Sequence, residues 1–520
     1  MLDVKLPRSP RPALAGRSSF WSSLAAVKSV DRILAESEGG GGHRLKRVLG
    51  RTDLVMLGIG AIIGTGIFVL TGQAAAMYAG PAIVISMVLA GLCAALAGLC
   101  YAEFAASVPI AGSAYTYGYA TLGEFAAWII GWDLILEYAL GAATVAVGWS
   151  GYVVELLDDF GVHIPAILSA APGTAVALPD GGTVAAVLNL PAMVIALLVT
   201  VVLVVGVHES AAVNSVIVAI KVAVVCLVIV AGAMFVTTAN WHPFVPANTG
   251  EFGAFGWSGI ARGAAVIFFA YIGFDAVSTA AQEARHPQRD MPIGILGSLA
   301  ICTVLYVLVS GVMVGLVPHS ALNGPAPMAV AIDAARDRAA GSAWAGLLGA
   351  MPLIVKLGAI AGLSSVMIVL MLGQPRIFYA MGVDGLLPAW ARRVHPRFRT
   401  PHVTTIVTGL AVALAAGFTP IHVLGELVSI GTLMAFVIVS LGLVVLRVRR
   451  PDLPRPFRTP WVPFVPLLSA AVSLGLMASL PWPTWERLII WMAIGIAIYF
   501  GYGRRHSRLR TAVLPANESR

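Results

Sequence analysis

The sequence predicts an all-α integral membrane protein with twelve transmembrane helices, and three observations predict it. Of 520 residues, 58% are hydrophobic and 11% are charged, with a mean hydropathy of +0.88. A soluble protein carries about 25% charged residues, so this chain cannot cover a water-facing surface. Apolar runs of about 20 residues, the length of a bilayer-crossing helix, recur along it. The positive charges fall almost entirely in alternate loops.

In order, the runs lie at approximately 53–78, 81–107, 121–149, 189–207, 211–236, 257–282, 292–316, 346–381, 402–417, 421–447, 461–480 and 484–502. The ninth is short, and Pro352 blurs the start of the eighth. Before the first run, Arg44, Lys46, Arg47 and Arg51 close a basic, Pro- and Ser-containing segment that does not read as a secretory signal. Arg285 and Arg289 follow the sixth run, and Arg392, Arg393, Arg397 and Arg399 follow the eighth. Arg447, Arg449, Arg450, Arg455 and Arg458 follow the tenth, and Arg504, Arg505, Arg508, Arg510 and Arg520 the twelfth. The opposite side carries Arg336, Arg338 and Arg487, and the long loops 150–188 and 237–256 carry no Lys or Arg. By the positive-inside rule both termini are cytoplasmic, in an inner or plasma membrane. The net charge of +8 is therefore topology, and no nucleic-acid partner is expected. The stretch 31–51, with its glycine run and basic cluster, reads as a tether lying on anionic lipid or as an unstructured tail. Cys93, Cys100, Cys226 and Cys302 sit in apolar segments and read as packing residues.

The first and sixth runs are unlike the rest. The first contains "LGIGAIIGTGIFVL", with Gly58, Gly60, Gly64 and Gly66 inside a membrane span, although glycine is a poor helix former. The sixth contains "ARGAAVIFFAYIGFDAVSTAAQEA", with Gly273 and Asp275 near its middle. If runs 1–5 and 6–10 were copies of opposite orientation, these two would be equivalent, as interrupted helices are in inverted-repeat transporters. The halves share no visible letter-by-letter similarity, so this expectation rests on the matched positions of the interruptions. Opening the helix at Gly64–Thr65–Gly66 would free amide N–H groups at the positive start of a half-helix, a place for a carboxylate. Opening it at Phe269–Ala270–Tyr271–Ile272 would free carbonyl oxygens, a place for an ammonium. An α-amino acid carries both groups on one carbon. Helix packing is the competing reading, because Gly60 and Gly64 also make a small-xxx-small pair. From spacing alone the two readings stand level.

Four stretches carry a family likeness: "MLGIGAIIGTGIFVLTG", "YAEFAASVPIAGSAYTYGYATLGEFAAWIIGWDLILEY", "FFAYIGFDAVSTAAQEARHPQRDMPIGI" and "GQPRIFYAMGVDGLLP". Together, over about residues 45–505, they resemble the amino acid–polyamine–organocation (APC) superfamily, most of all its cationic amino acid transporter (CAT) branch and bacterial homologues. The resemblance implies a LeuT-type 5+5 inverted repeat with two additional C-terminal helices, and amino acid transport by alternating access. The division is then a cytoplasmic segment 1–51, a first repeat 52–236, an inverted second repeat 237–447, two further helices within 448–502, and a cytoplasmic tail 503–520. The family's binding motif falls on Ile62, Thr65 and Gly66 in the first run and on Phe269, Ala270 and Ile272 in the sixth. The position expected to face the substrate side chain falls on Leu370. An apolar residue there offers no acceptor to a second cation, so small neutral amino acids such as alanine are expected first and cationic ones second. Similar bacterial proteins have small membrane-protein partners.

Charges inside the spans complete the reading. Lys221 is twelve residues past Glu209, roughly 18 Å along a helix, and a lysine at a helix centre costs about 2.5–3.5 kcal/mol without a partner. In similar proton-coupled transporters a lysine at this place occupies the position where sodium-coupled relatives hold Na⁺, and Ser364 and Ser365 resemble the hydroxyls that ligate that sodium. Lys221 is accordingly expected to carry the coupled proton, with a purely structural ammonium as the alternative. Glu137 is a second proton carrier, an occlusion contact near the substrate, or a protonated carboxyl hydrogen-bonded to a neighbour. Asp275 is expected to cap the inner half of the sixth run, and Glu103 to pair with Arg376 as a cytoplasmic gate. His163, His208, His242, His319, His395 and His402 have no metal spacing, and no cofactor is expected. No nucleotide-binding loop or catalytic triad appears, so an ion gradient must drive uptake. The expected function is proton-coupled import of an L-amino acid. An exchanger, a sodium symporter and a non-transporting amino acid sensor are the rivals.

Overall fold

A computed structural model of the chain describes Val27 and residues 48–108, 113–178, 182–206, 211–281 and 283–511. Most of the tether at 31–51 and the end of the tail lie outside the described residues. The architecture is helical. In chain order the main helices are α1 (Arg51–Ile62), α2 (Ile83–Ser107), α3 (Ser113–Thr121), α4 (Glu124–Asp159), α5 (Leu190–Val205), α6 (Ala211–Ala233), α7 (Gly256–Ile267) and α8 (Ala276–Thr279). They continue as α9 (Pro287–Leu316), α10 (Pro327–Ala339), α11 (Ala345–Val383), α12 (His402–Phe418), α13 (Ile421–Arg449), α14 (Phe464–Ser479) and α15 (Trp482–Ile498).

Eight helical stretches among the described residues are long and apolar enough to cross a membrane, and α5, α12 and α14 are shorter apolar helices. Helix is the form that hydrocarbon enforces, because each N–H and C=O must be satisfied within its own segment. Each apolar run of the sequence overlaps one of these helices. The eighth begins ahead of its proline: α11 runs through Pro352 and Pro375. The loop 150–188 adds a small antiparallel hairpin, β1 (Ala175–Ala177) on β2 (Thr183–Ala185). At the other end of the chain α15 is pinned to α4. Trp132 and Trp491 stack at 4.5 Å and donate to each other's backbone carbonyls, and Trp128 donates to Gly495 O.

The first run is not one helix. α1 stops at Ile62, and a second wound segment runs from Gly66 to Ala79. Gly80, at φ +59°, and Pro81 then turn the chain into α2. The sixth run is also divided, into α7, a 3₁₀ turn at Phe268–Tyr271 and the short α8. The two divided helices lie antiparallel. At one end Phe255 N donates to Tyr78 O at 2.9 Å. At the other, Val48 N and Leu49 N donate to Glu283 O at 2.9 and 3.0 Å, and Arg285 N donates to Leu49 O. Start therefore meets end on both sides of the bundle.

Candidate substrate and coupling site

The interruptions follow from the local sequence. Ile63 is extended, at ψ 98°, and the helix rewinds only at Gly66. The first amides bonded beyond the opening are Ile67 and Phe68, both donating to Gly64 O, at 3.2 and 3.3 Å. In the partner helix Ile272 is extended at ψ 141°, and Gly273 stands at φ +108°, where an L side chain is strained. A Cβ on Gly66 would lie 2.3 Å from Ala270 Cα, and one on Gly273 would lie 2.9 Å from Ala61 O. Only glycine lets the two openings touch.

Carbonyls near the first opening are taken by side chains from three other helices. Lys221 of α6 is fully buried, and its ammonium donates to Gly60 O at 2.8 Å and Ile63 O at 3.2 Å. The Tyr306 hydroxyl of α9 donates to Ile62 O, and that of Tyr152 in α4 donates to Phe68 O, both at 2.8 Å. The Lys221 stem packs on α11, where a Cβ on Gly362 would be 3.3 Å from its Cε. The hydroxyls expected near it follow on the same helix. Ser364 accepts from Trp149 Nε1 at 3.0 Å and donates to Ile360 O, and Ser365 donates to Gly362 O at 3.3 Å.

The residues expected to bind substrate are all buried, and Gly66 and Ala270 are in contact. Thr65 packs on Gly148 of α4, with its hydroxyl lacking a hydrogen-bond partner among the described residues. Leu370 of α11 faces Gly141, its Cδ1 3.4 Å from where a Cβ on Gly141 would stand, and Val428 Cγ1 lies 4.0 Å from the same point. Gly141 and Gly148 are seven residues apart, so α4 holds Thr65 and Leu370 roughly 10 Å from each other along its axis. Ile62 and Ile272 flank the two openings, and Phe269 O accepts from Ile272 N at 3.2 Å.

Two expectations change. Asp275 occupies the residue before α8, but its side chain makes no capping bond; it accepts from the Tyr138 hydroxyl at 3.2 Å. Helical backbone at Asp275 (φ −66°, ψ −28°) places it inside the turn rather than in the extended geometry that a capping side chain needs. Glu103 does not meet Arg376, which is exposed on α11. Its buried carboxylate takes Arg447 in a two-bond fork at 2.9 and 2.7 Å, together with Thr459 N at 2.7 Å. Arg455 stands at 3.5 Å. A buried charge needs this much compensation, and an exposed arginine cannot give it. Glu137 is buried beside Thr432, within electrostatic reach of Asp275 and Asp133. Of the cysteines, Cys93, Cys100 and Cys302 are buried and Cys226 is exposed.

Sequence reasoning missed Tyr152, Tyr306 and Asp133. The tyrosines carry no signal in one dimension, since only the fold brings them to the opening. Asp133 had one: it stands four residues before Glu137, one helical turn away.

Against known proteins, the amino acid permease family model matches residues 49–499, most of the chain. The chain belongs to that family. Within the APC superfamily this permease is of the cationic amino acid transporter branch. It is 46% identical over 489 residues to the methylthioribose transporter of Bacillus subtilis (strain 168), covering 94% of this chain and 99% of the relative. It is 46% identical over 488 residues to the branched-chain amino acid permease BcaP of the same organism, at the same coverage. Cationic amino acid transporter 4, vacuolar, of Arabidopsis thaliana is 38% identical over 436 residues, covering 83% of this chain and 68% of the relative. The permease is thus a multi-pass membrane protein of an amino acid transport family. No group of three His, Cys, Asp or Glu able to hold a metal occurs among the described residues.

Proposed function

We propose that the chain is a proton-coupled amino acid symporter that imports its substrate by alternating access. In this reading it has twelve spans in a LeuT-type 5+5 arrangement plus two C-terminal helices, with both termini cytoplasmic. The boundaries between the repeats fall at about residues 236 and 447 of the sequence. The observation that carries the reading is the contact of the two openings at Gly66 and Ala270, with the Lys221 ammonium on the carbonyls beside it. The amides at Thr65 and Gly66 take the substrate carboxylate, and the opening at Phe269, Ala270 and Ile272 takes its ammonium.

Lys221 carries the coupling. Its ammonium fills the place that a bound Na⁺ would need beside Ser364 and Ser365, and it excludes that ion by charge. As it gains and loses carbonyl partners during the cycle it loads and releases a proton. Glu137 is the second carrier, near the substrate. Leu370, with Gly141 and Val428, forms an apolar, narrow wall for the side chain, which favours small neutral amino acids such as alanine. The names of the relatives widen the field to branched-chain and cationic amino acids. Methylthioribose, named for an equally similar relative, has neither an ammonium nor a carboxylate and would leave both openings without their charged partners. Membrane lipid surrounds the bundle, and a small membrane-protein partner fits the lipid-facing surface of α6, where Val213, Val216, Ile220 and Val230 are exposed.

The deciding experiment uses purified protein in liposomes with labelled alanine and an inside-alkaline pH gradient, without sodium. Arginine, lysine, leucine and methylthioribose serve as competitors. Uphill uptake that collapses with a proton ionophore is expected. Uptake only into amino-acid-preloaded liposomes would make the protein an exchanger and Lys221 a fixed structural cation. Substrate binding with no transport in either mode would make it a sensor.

A further inference from the structure

Asp133 is fully buried on α4, and neither of its carboxyl oxygens has a hydrogen-bond partner among the described residues. Other buried carboxyls in the bundle are held. Glu103 takes Arg447 and Thr459 N, Glu124 takes Tyr499 and Ser507, Glu426 takes Thr484, and Asp275 takes Tyr138. Asp133 is different. It faces α13 at Gly431, where a Cβ would stand 2.9 Å from its Oδ1.

The groups around it form a row. One turn along α4, roughly 6 Å away, is Glu137, beside Thr432 of α13. Beyond Glu137 the row reaches Asp275 at the second opening, which receives the hydroxyl of Tyr138. From α2, buried Tyr101 lies within electrostatic reach of Asp133, Glu137 and Asp275 alike. α13 presents the uncharged Gly431 and Thr432. Among the described residues no side chain of these elements donates to Asp133.

An ionised carboxylate in such a place, with no donor, is disfavoured by several kcal/mol. Burial without a donor therefore favours the neutral acid at Asp133. A leucine would fill the space at lower cost, so the carboxyl is explained by something that binds to it, and the ligand that a lone buried carboxyl takes is a proton.

We propose that Asp133 is a further proton station, one turn to the cytoplasmic side of Glu137. It deepens the proton-symport reading and rests on it, together with the topology set by the positive charges. When the cytoplasmic side opens, water reaches Asp133, its O–H bond breaks and the proton passes to that water. The Asp133 carboxylate then takes the proton of Glu137 through a bridging water, which forms an O–H bond at Asp133 and leaves Glu137 ionised. Closure leaves Asp133 buried again as the neutral acid. Glu137 is thereby emptied towards the cytoplasm, ready to load again from the outside.

The test compares wild type, Asp133→Asn and Asp133→Glu in liposomes. Asparagine has the shape of the neutral acid and cannot release a proton. Asp133→Asn is expected to lose gradient-driven alanine accumulation by about tenfold or more while still exchanging labelled for unlabelled alanine at equal pH. Asp133→Glu is expected to restore accumulation with a displaced pH profile. In infrared spectra of the wild type, the C=O stretching band of a protonated carboxyl is expected to be partly lost in Asp133→Asn. Accumulation by Asp133→Asn equal to wild type, or superimposable infrared bands, would overturn the proposal and leave symport standing. A wild type that accumulates nothing under a proton gradient would instead overturn the symport reading, and the station with it.

Discussion

The two openings share a shape and differ in what holds them. At the first, carbonyls of Gly60, Ile62, Ile63 and Phe68 receive Lys221, Tyr306 and Tyr152, donors brought from α6, α9 and α4. At the second, the turn is made chiefly by the chain itself, through extended Ile272 and left-handed Gly273, with Ser429 of α13 donating to Val266 O just before it and Tyr138 reaching Asp275 beside it. One opening is clamped from outside, by an ammonium and two hydroxyls, and the other is set mainly by backbone. In the proposed symport, a change in protonation at Lys221 would be felt first at Gly60 and Ile63, and would reach the second opening through the contact of Gly66 with Ala270.

That contact is the point at which the comparison breaks most completely. Gly66→Val places a branched side chain where even a Cβ would overlap Ala270 Cα. Overpacking of this kind costs typically 1–3 kcal/mol, and here the strain falls on backbone that cannot step aside. Loss of alanine binding by about a hundredfold or more is expected, read as loss of ligand-induced thermal stabilisation in purified protein. Unchanged binding would mean that the openings are packing features and not a site.

Lys221→Ala attacks the clamped side alone. It removes the donor from two buried carbonyls, each costing about 1–3 kcal/mol if left unsatisfied, so a lower melting temperature is expected in a protein that still folds. Gradient-driven accumulation is expected to fall by about tenfold or more, measured in liposomes under an inside-alkaline gradient. Full accumulation by this variant would take Lys221 out of the coupling and leave it as a structural pin.

Most of the helical architecture is legible in the sequence, because hydrocarbon demands long apolar runs and the charges mark their ends. The start of α11 is the exception, since Pro352 reads as a stop in isolation, and a helix buried among neighbours tolerates it. The two helix interruptions are equally legible, because glycines and an aspartate in mid-membrane are costly and invite explanation. Pairings are not. Glu103 and Arg376 have the right signs, yet the carboxylate is spoken for by Arg447, more than 340 positions away in the chain. Asp275 has the right residue type for a cap, but its backbone is already helical. Which hydroxyl fills a given carbonyl is decided by packing between distant helices, and periodicity within one helix carries none of that information.

The smallest expected effect tests the self-made side. Tyr138→Phe removes one donor to Asp275 and leaves the ring in place against α11, where it packs close to Gly373. A single hydrogen bond contributes about 0.5–1.5 kcal/mol, which is about two- to tenfold in an equilibrium. The half-saturating alanine concentration is expected to rise by about that factor, with gradient-driven accumulation retained, because Lys221 is untouched. The paired outcome is informative: a large loss in Lys221→Ala beside a few-fold loss in Tyr138→Phe would place the coupling at the clamped opening. Loss of accumulation in Tyr138→Phe as severe as in Lys221→Ala would show that Asp275 is held as critically as the first opening, and that the second depends on its side chains as much as on Ile272 and Gly273.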